Sequence, residues 1–226
     1  MSRAFLARLF LVFLTGSRIA YGQTDEEYSF ELPTDLNLPP SHRQALQYWE
    51  TDFHHVLHLA KTQSAQTPES RAALDTIYRL ITARRSSLGS LSELIGRWSV
   101  RSLQATPHAA VRYLPYTLCI EKKGDAYYLD KSTGSVRRHG ILQTVNAQCA
   151  VFIGATYYVS DNEKPVYSGL QSASTSERDA VGLLYRLSAD RLILVFPDIH
   201  NTGIELYEIG KTRTRNKKSK AGTFLR

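Results

Sequence analysis

Between Gly96 and Gly210 the chain runs through eight short apolar segments in succession: GRWSVRSL, YLPYTLCIEKK, AYYLD, HGILQTV, QCAVFIGATYYV, AVGLLYRLS, RLILVFP and GIELYEI. Each is rich in Val, Ile, Leu, Tyr or Phe and is bounded by Gly, Pro, Asp, Asn or Ser, the pattern of β-strands separated by turns. EKKGDAY and LSADRL are tight enough to be hairpin turns. Eight consecutive strands joined mainly by hairpins predict an up-and-down antiparallel barrel or a strongly curled sheet, because closure removes exposed edges. No sequence repeat is evident.

The segment before Gly96 has a different period. Ala45, Leu46, Trp49, Phe53, Val56, Leu57 and Ala60 recur at steps of three and four, so they share one face of a helix that Ser41 can cap and that ends near Thr62. A second helix starts at Thr67-Pro68-Glu69, with Ala73, Leu74, Ile77, Leu80 and Ile81 as its apolar stripe. The short link predicts an antiparallel helical hairpin. The fold class expected is therefore α+β: a helical hairpin and hinge over 41–95, then an approximately eight-stranded antiparallel barrel over 96–210.

The ends carry the charge. Of 28 Lys and Arg, seven lie in the tail 211–226 and three in residues 1–22, and neither end holds an acid. The stretch 23–210 keeps 18 basic against 21 acidic residues, so the net +7 of the chain does not describe its body, and a basic nucleic-acid groove is not implied. The tail reads as a disordered solvated end, with electrostatic contact to an anionic membrane surface or to nucleic acid as the alternative. Residues 1–22 place arginines at 3 and 8 before an apolar core, Leu9 to Leu14, and end on small residues, Ala20 and Gly22. That is the layout of a secretory signal peptide, too short in its apolar run for a spanning helix. The expectation is a periplasmic or secreted protein with an extended lead-in over 23–40 and no transmembrane segment after cleavage.

Two cysteines, Cys119 and Cys149, are present. In an oxidising compartment an even pair is expected to be bridged, and closing a loop of that length is worth ~3.5 kcal/mol on the chain-entropy model. A C-x-x-C redox motif is absent from the sequence.

Three sets of residues are candidate sites. In DKSTGSVRRHG, Thr133, Gly134 and Ser135 can turn the backbone so that N–H groups converge, while Lys131, Arg137 and Arg138 supply charge. That makes an anion pocket; the same residues equally make a plain hairpin turn with solvated charges. Strand alternation sets Arg137 and His139 on one side and Arg138 on the other, so one arginine points inward and needs a carboxylate such as Asp179 or Glu205. Arg178 and Asp179 read as a structural ion pair at a turn. Glu50, His54 and His58, at steps of four on the first helix, stack a carboxylate and two imidazoles on one stripe, a spacing able to hold a metal ion. No fourth ligand is evident, and H-E-x-x-H is absent.

No G-x-S-x-G elbow, P-loop or dinucleotide fingerprint occurs, and no cofactor is implied. The reading is a non-enzymatic exported binding protein with a small-molecule or anion ligand in or beside the barrel; the alternative is an exported protein-interaction or inhibitor domain, with a metal-binding protein or a hydrolase ranked behind both. An open interior favours the first, a filled interior with exposed apolar surface the second.

GRW at 96–98, Cys119, DKSTGSVRRHGIL at 130–142, FIG at 152–154, ERDAVG at 177–182 and RLILVFP at 191–197 together resemble a family of exported bacterial proteins, the domain-of-unknown-function family 4893. The resemblance covers about residues 41–210. Its most specific element is the run matched by Lys131, Thr133, Gly134, Ser135, Arg137 and Gly140, with the pair Arg178-Asp179. It implies this layout and assigns no activity. GRW at the head of a β-meander is also similar to the Gly-x-Trp start of lipocalin-like barrels.

Overall fold

The computed structural model describes residues 32–34, 36–63, 67–169, 177–197 and 203–212. The expected signal peptide, the first part of the expected lead-in and the tail beyond Thr212 lie outside the described residues. Among the described residues two helices precede the strands, α1 (Pro40–Gln63) and α2 (Pro68–Ile81). Leu46, Trp49, Phe53, Leu57 and Ala60 are the buried stripe of α1, the three- and four-residue steps that its sequence sets. Helix α2 begins where the Thr67 hydroxyl accepts the Ser70 N–H at 3.2 Å, and Pro68 occupies the first helical position, where no N–H is missed. Among the described residues no helix is long and apolar enough to cross a membrane.

A 3₁₀ turn, Leu91–Leu94, leads into the strands, nine among the described residues: β1 (Gly96–Ala105), β2 (Ala110–Arg112), β3 (Tyr116–Lys123), β4 (Ala126–Lys131), β5 (Val136–Thr144), β6 (Cys149–Tyr158), β7 (Asp179–Ser188), β8 (Arg191–Phe196) and β9 (Ile204–Lys211). All ladders are antiparallel. From β3 to β9 each strand pairs with the next, and β1 pairs with β3 on one side and β9 on the other, which closes an eight-stranded barrel. The extra strand β2 pairs with the end of β1, Leu103 to Ala105, above the part of β1 that β3 uses.

Alternation decides what the barrel encloses. Val100, Leu118, Leu129, Leu142, Phe152, Leu184, Leu194, Tyr207 and their inward neighbours form one buried cluster, so the interior is filled. Gly140 and Gly154 face each other across β5 and β6, and a Cβ on either would come within 3 Å of the Phe152 ring. The two glycines are what lets that ring lie flat inside. Strands β7 and β8 are buried on both faces: the helices pack against the outside of β1, β7 and β9, and the Trp49 Nε1–H donates to the Tyr185 hydroxyl at 3.2 Å. That is why LILVF and AVGLLY read as continuous apolar runs rather than alternating ones.

The expected disulfide is not formed: Cys119 and Cys149 are both free thiols. Cys119 lies on β3 and Cys149 opens β6, with β4 and β5 between them. At ~4.8 Å per strand the three steps alone exceed the ~7 Å that a bridge can span between Cα atoms.

Candidate anion site at the polar end of the barrel

The two ends of the interior differ in kind. At the end where β1 begins, Leu88, Leu91 and Leu94 fold in beneath the strands, and the Trp98 Nε1–H donates to the Leu94 carbonyl at 2.8 Å. At the other end, where β4 and β9 meet the rim, the inward positions are Lys131, Arg138, Ser102, Glu205 and Tyr207. Each follows by period two from an apolar neighbour: Lys131 from Leu129, Arg138 from Gly140, Glu205 from Tyr207.

Arg138 is the centre of this group. Its Nη2–H donates to Glu205 Oε2 at 2.6 Å, its Nη1–H to the Tyr207 hydroxyl at 2.6 Å, and its guanidinium lies 4.0 Å from the centre of the Phe196 ring. The Ser102 hydroxyl donates to Glu205 Oε1 at 2.6 Å. Burial alone raises the Glu205 carboxyl, but the charge and hydrogen bond of Arg138 outweigh it and hold the carboxyl below the usual range. Burial opposes the charge on Arg138 as well, and Glu205 more than restores it.

Lys131 sits beside this pair, with no carboxylate of its own among the described residues. The side chain is 3% exposed. Its ammonium donates to the Thr133 carbonyl at 3.2 Å and to the Val136 carbonyl, and lies 4.7 Å from the centre of the Tyr116 ring and 5.8 Å from that of Tyr207. Burial, with Arg138 and Arg137 adding to it against the pull of Glu205, lowers its pKa to about 8. Among the described residues the inner face of the polar end thus holds two cations and one carboxylate.

The Thr133-Gly134-Ser135 turn is built differently from the converging N–H groups that its sequence suggests. The carbonyls of Thr133, Gly134 and Val136 receive Lys131 and Arg137, the latter through Nε–H to Gly134 O at 2.9 Å. The Thr133 hydroxyl accepts the Thr117 N–H at 2.7 Å. Gly134 has φ +92, and a Cβ there would stand 3.1 Å from the Tyr116 ring and 3.3 Å from Lys131 Nζ, so the turn folds down onto both. The proposed anion residues are therefore divided: Lys131 and Arg138 inside, Thr133 and Ser135 on the rim, Arg137 outside over the Tyr157 ring. Ser102 and Tyr207 were not singled out by the sequence, although the alternation along β1 and β9 places both on the inner face.

The remaining candidates separate. Glu50 pairs with Arg85, His54 stands edge-on to Tyr78, and no group of three His, Cys, Asp or Glu among the described residues could hold a metal ion. The stripe on α1 is solvent-exposed rather than convergent. Arg178 and Asp179 go to different partners: Arg178 to Asp161 at 2.7 Å, Asp179 to the N–H and hydroxyl of Ser168 at 2.7 and 2.8 Å. Both contacts fasten the long β6–β7 connection. A groove of about 390 Å³, lined by Thr67, Ser70, His108, Ala110 and Arg112 among others, opens outside the barrel between α2 and β2.

Fold and site together define a helix-covered, closed antiparallel β-barrel with a filled interior and one charged end. The chain belongs to the family described as Domain of unknown function (DUF4893), whose model matches residues 38–209, more than half of the sequence. No curated protein and no solved structure matches it.

Proposed function

We propose that the protein is an exported, non-catalytic binding protein that takes a small anionic ligand at the polar end of the barrel, beside rather than inside the filled interior. The observation that carries this reading is the charge balance of Lys131, Arg138 and Glu205: among the described residues one cation is left without a carboxylate in a setting that disfavours it. A carboxylate or phosphate at the rim supplies the missing charge and accepts charge-assisted hydrogen bonds. Export rests on the leader-like sequence 1–22. A non-catalytic role fits the two thiols, which burial pushes up, Cys149 to about 12, so that neither is a ready nucleophile near neutral pH. Native mass spectrometry of the mature protein from its exporting host tests the reading: a retained small anion supports it, and a bare mass at saturating added carboxylate and phosphate contradicts it.

A second reading is favoured by the exposed apolar side chains of β2 and the segment that follows it. Val111, Tyr113 and Leu114 are 46%, 40% and 77% exposed, and a filled barrel that displays such groups suits a protein-interaction or inhibitor domain. Truncating Leu114 and Tyr113 would then abolish complex formation with an exported partner while leaving anion binding intact.

A further inference from the structure

The turn 132–135 closes over a cation that water would hold better. Lys131 on β4 is faced by Tyr116 from β3, by Arg137 and Arg138 from β5, and by Glu205 and Tyr207 from β9. Only Glu205 among these carries a negative charge, and it is committed to Arg138. The ammonium's hydrogen-bond acceptors, Thr133 O and Val136 O, belong to the turn and its first strand residue. Lifting the turn therefore removes the Thr133 carbonyl from the ammonium, loosens the Val136 carbonyl at the turn's foot and opens the charge to solvent in one movement.

We propose that the β4–β5 turn is a proton-operated cover over the polar end of the barrel, closed on Lys131 and lifted when the charged ammonium moves into water. The closed state holds the Lys131 proton only below about pH 8, whereas a solvated lysine keeps it up to its ordinary 10.5. The state that binds the proton more tightly gains as pH falls, so the lifted state gains between pH 10.5 and 8 and the gain is complete below 8. Near neutral pH the cover then opens most readily, with Lys131 charged and Arg138 behind it. That consequence for ligand entry rests on the anion reading above; the movement of the cover does not, and it is tested without ligand.

The Thr117 N–H donates to the Thr133 hydroxyl and the Val159 N–H to the Ser135 carbonyl, so both amides report on the turn. Their exchange with water is measured by NMR, with the intrinsic pH dependence divided out. In the native protein the opening constant is expected to rise roughly 25-fold from pH 9.5 to pH 7, and in Lys131→Met to stay within about twofold. A flat native profile, or the same slope in Lys131→Met, overturns the proposal. The side-chain NMR titration of Lys131 in the unmodified protein needs no variant: a midpoint near 8 is expected, and one near 10.5 overturns it.

Discussion

At one end of the barrel Leu88, Leu91 and Leu94 close the interior beneath Trp98; at the other, Lys131, Arg138, Glu205 and Tyr207 fill the same width with charge and hydrogen bonds. The same strands build both ends, and the same two-residue period brings Leu129 and Lys131, or Ile209, Tyr207 and Glu205, onto one inner face. The connections differ accordingly. At the apolar end β3–β4 and β7–β8 are joined by two residues each, whereas the polar end carries the long β6–β7 and β8–β9 connections. The charged groups are nevertheless partnered from the strands, Ser102 on β1 and Glu205 and Tyr207 on β9, and from the short β4–β5 turn. The difference teaches that this barrel is closed by apolar packing at one end and by charge and hydrogen bonds at the other.

The largest expected effect is at the apolar end. Trp98→Ala removes a buried ring and the hydrogen bond that ties down the 3₁₀ turn, and should cost ~3–5 kcal/mol in a urea unfolding experiment. A loss under about 1 kcal/mol would mean that this end is not a true core.

Charge removal should be nearly as severe at the polar end, but for another reason. Glu205→Gln leaves Arg138 buried without its carboxylate and should cost about 3 kcal/mol, while the double replacement Arg138→Met with Glu205→Leu should recover most of that loss. If the double variant is as unstable as the single one, the polar end contributes through shape and not charge. Stability against pH distinguishes the ends as well. The Glu205 carboxyl is held low in the folded protein, so its contribution is present above the ordinary unfolded value of about 4.3 and is lost as pH falls below it. Glu205→Gln should show a correspondingly shallower acid transition, and an unchanged one would remove Glu205 from the account.

Tyr207→Phe is a smaller test, deleting only the hydroxyl bonded to Arg138. About 2 kcal/mol is expected for a hydrogen bond to a charged group, read from the same urea curves. The smallest effect belongs to neither end: Thr67→Ala removes the cap of α2 and should cost ~1 kcal/mol without altering the barrel.

Much of this layout was legible in the sequence because the barrel obeys simple periodicity. The eight runs became the eight barrel strands, and the three- and four-residue steps of α1 and α2 became their buried stripes. Alternation also gave an inward arginine in need of a carboxylate, and Arg138 meets Glu205 as one of the two acids named for it. Lys131 could have been placed inside by the same rule, since it stands two residues after Leu129, but its neighbours in DKSTGS read as turn chemistry and hid it. Strand β2 escaped because three residues, Ala110–Arg112, carry too little pattern to register. The disulfide failed for a different reason: compartment and parity of cysteines say nothing about which strands carry them, and two strands intervene.

The most direct test of the account is calorimetric titration of the protein with small carboxylates and inorganic phosphate at about pH 7, repeated above pH 9 and with Lys131→Met. Binding at neutral pH that weakens once Lys131 loses its proton, and that disappears in Lys131→Met, is the predicted result. Absence of binding for every anion at neutral pH, or equal binding by Lys131→Met, would contradict the claim that the uncompensated cation at the polar end is there for a ligand.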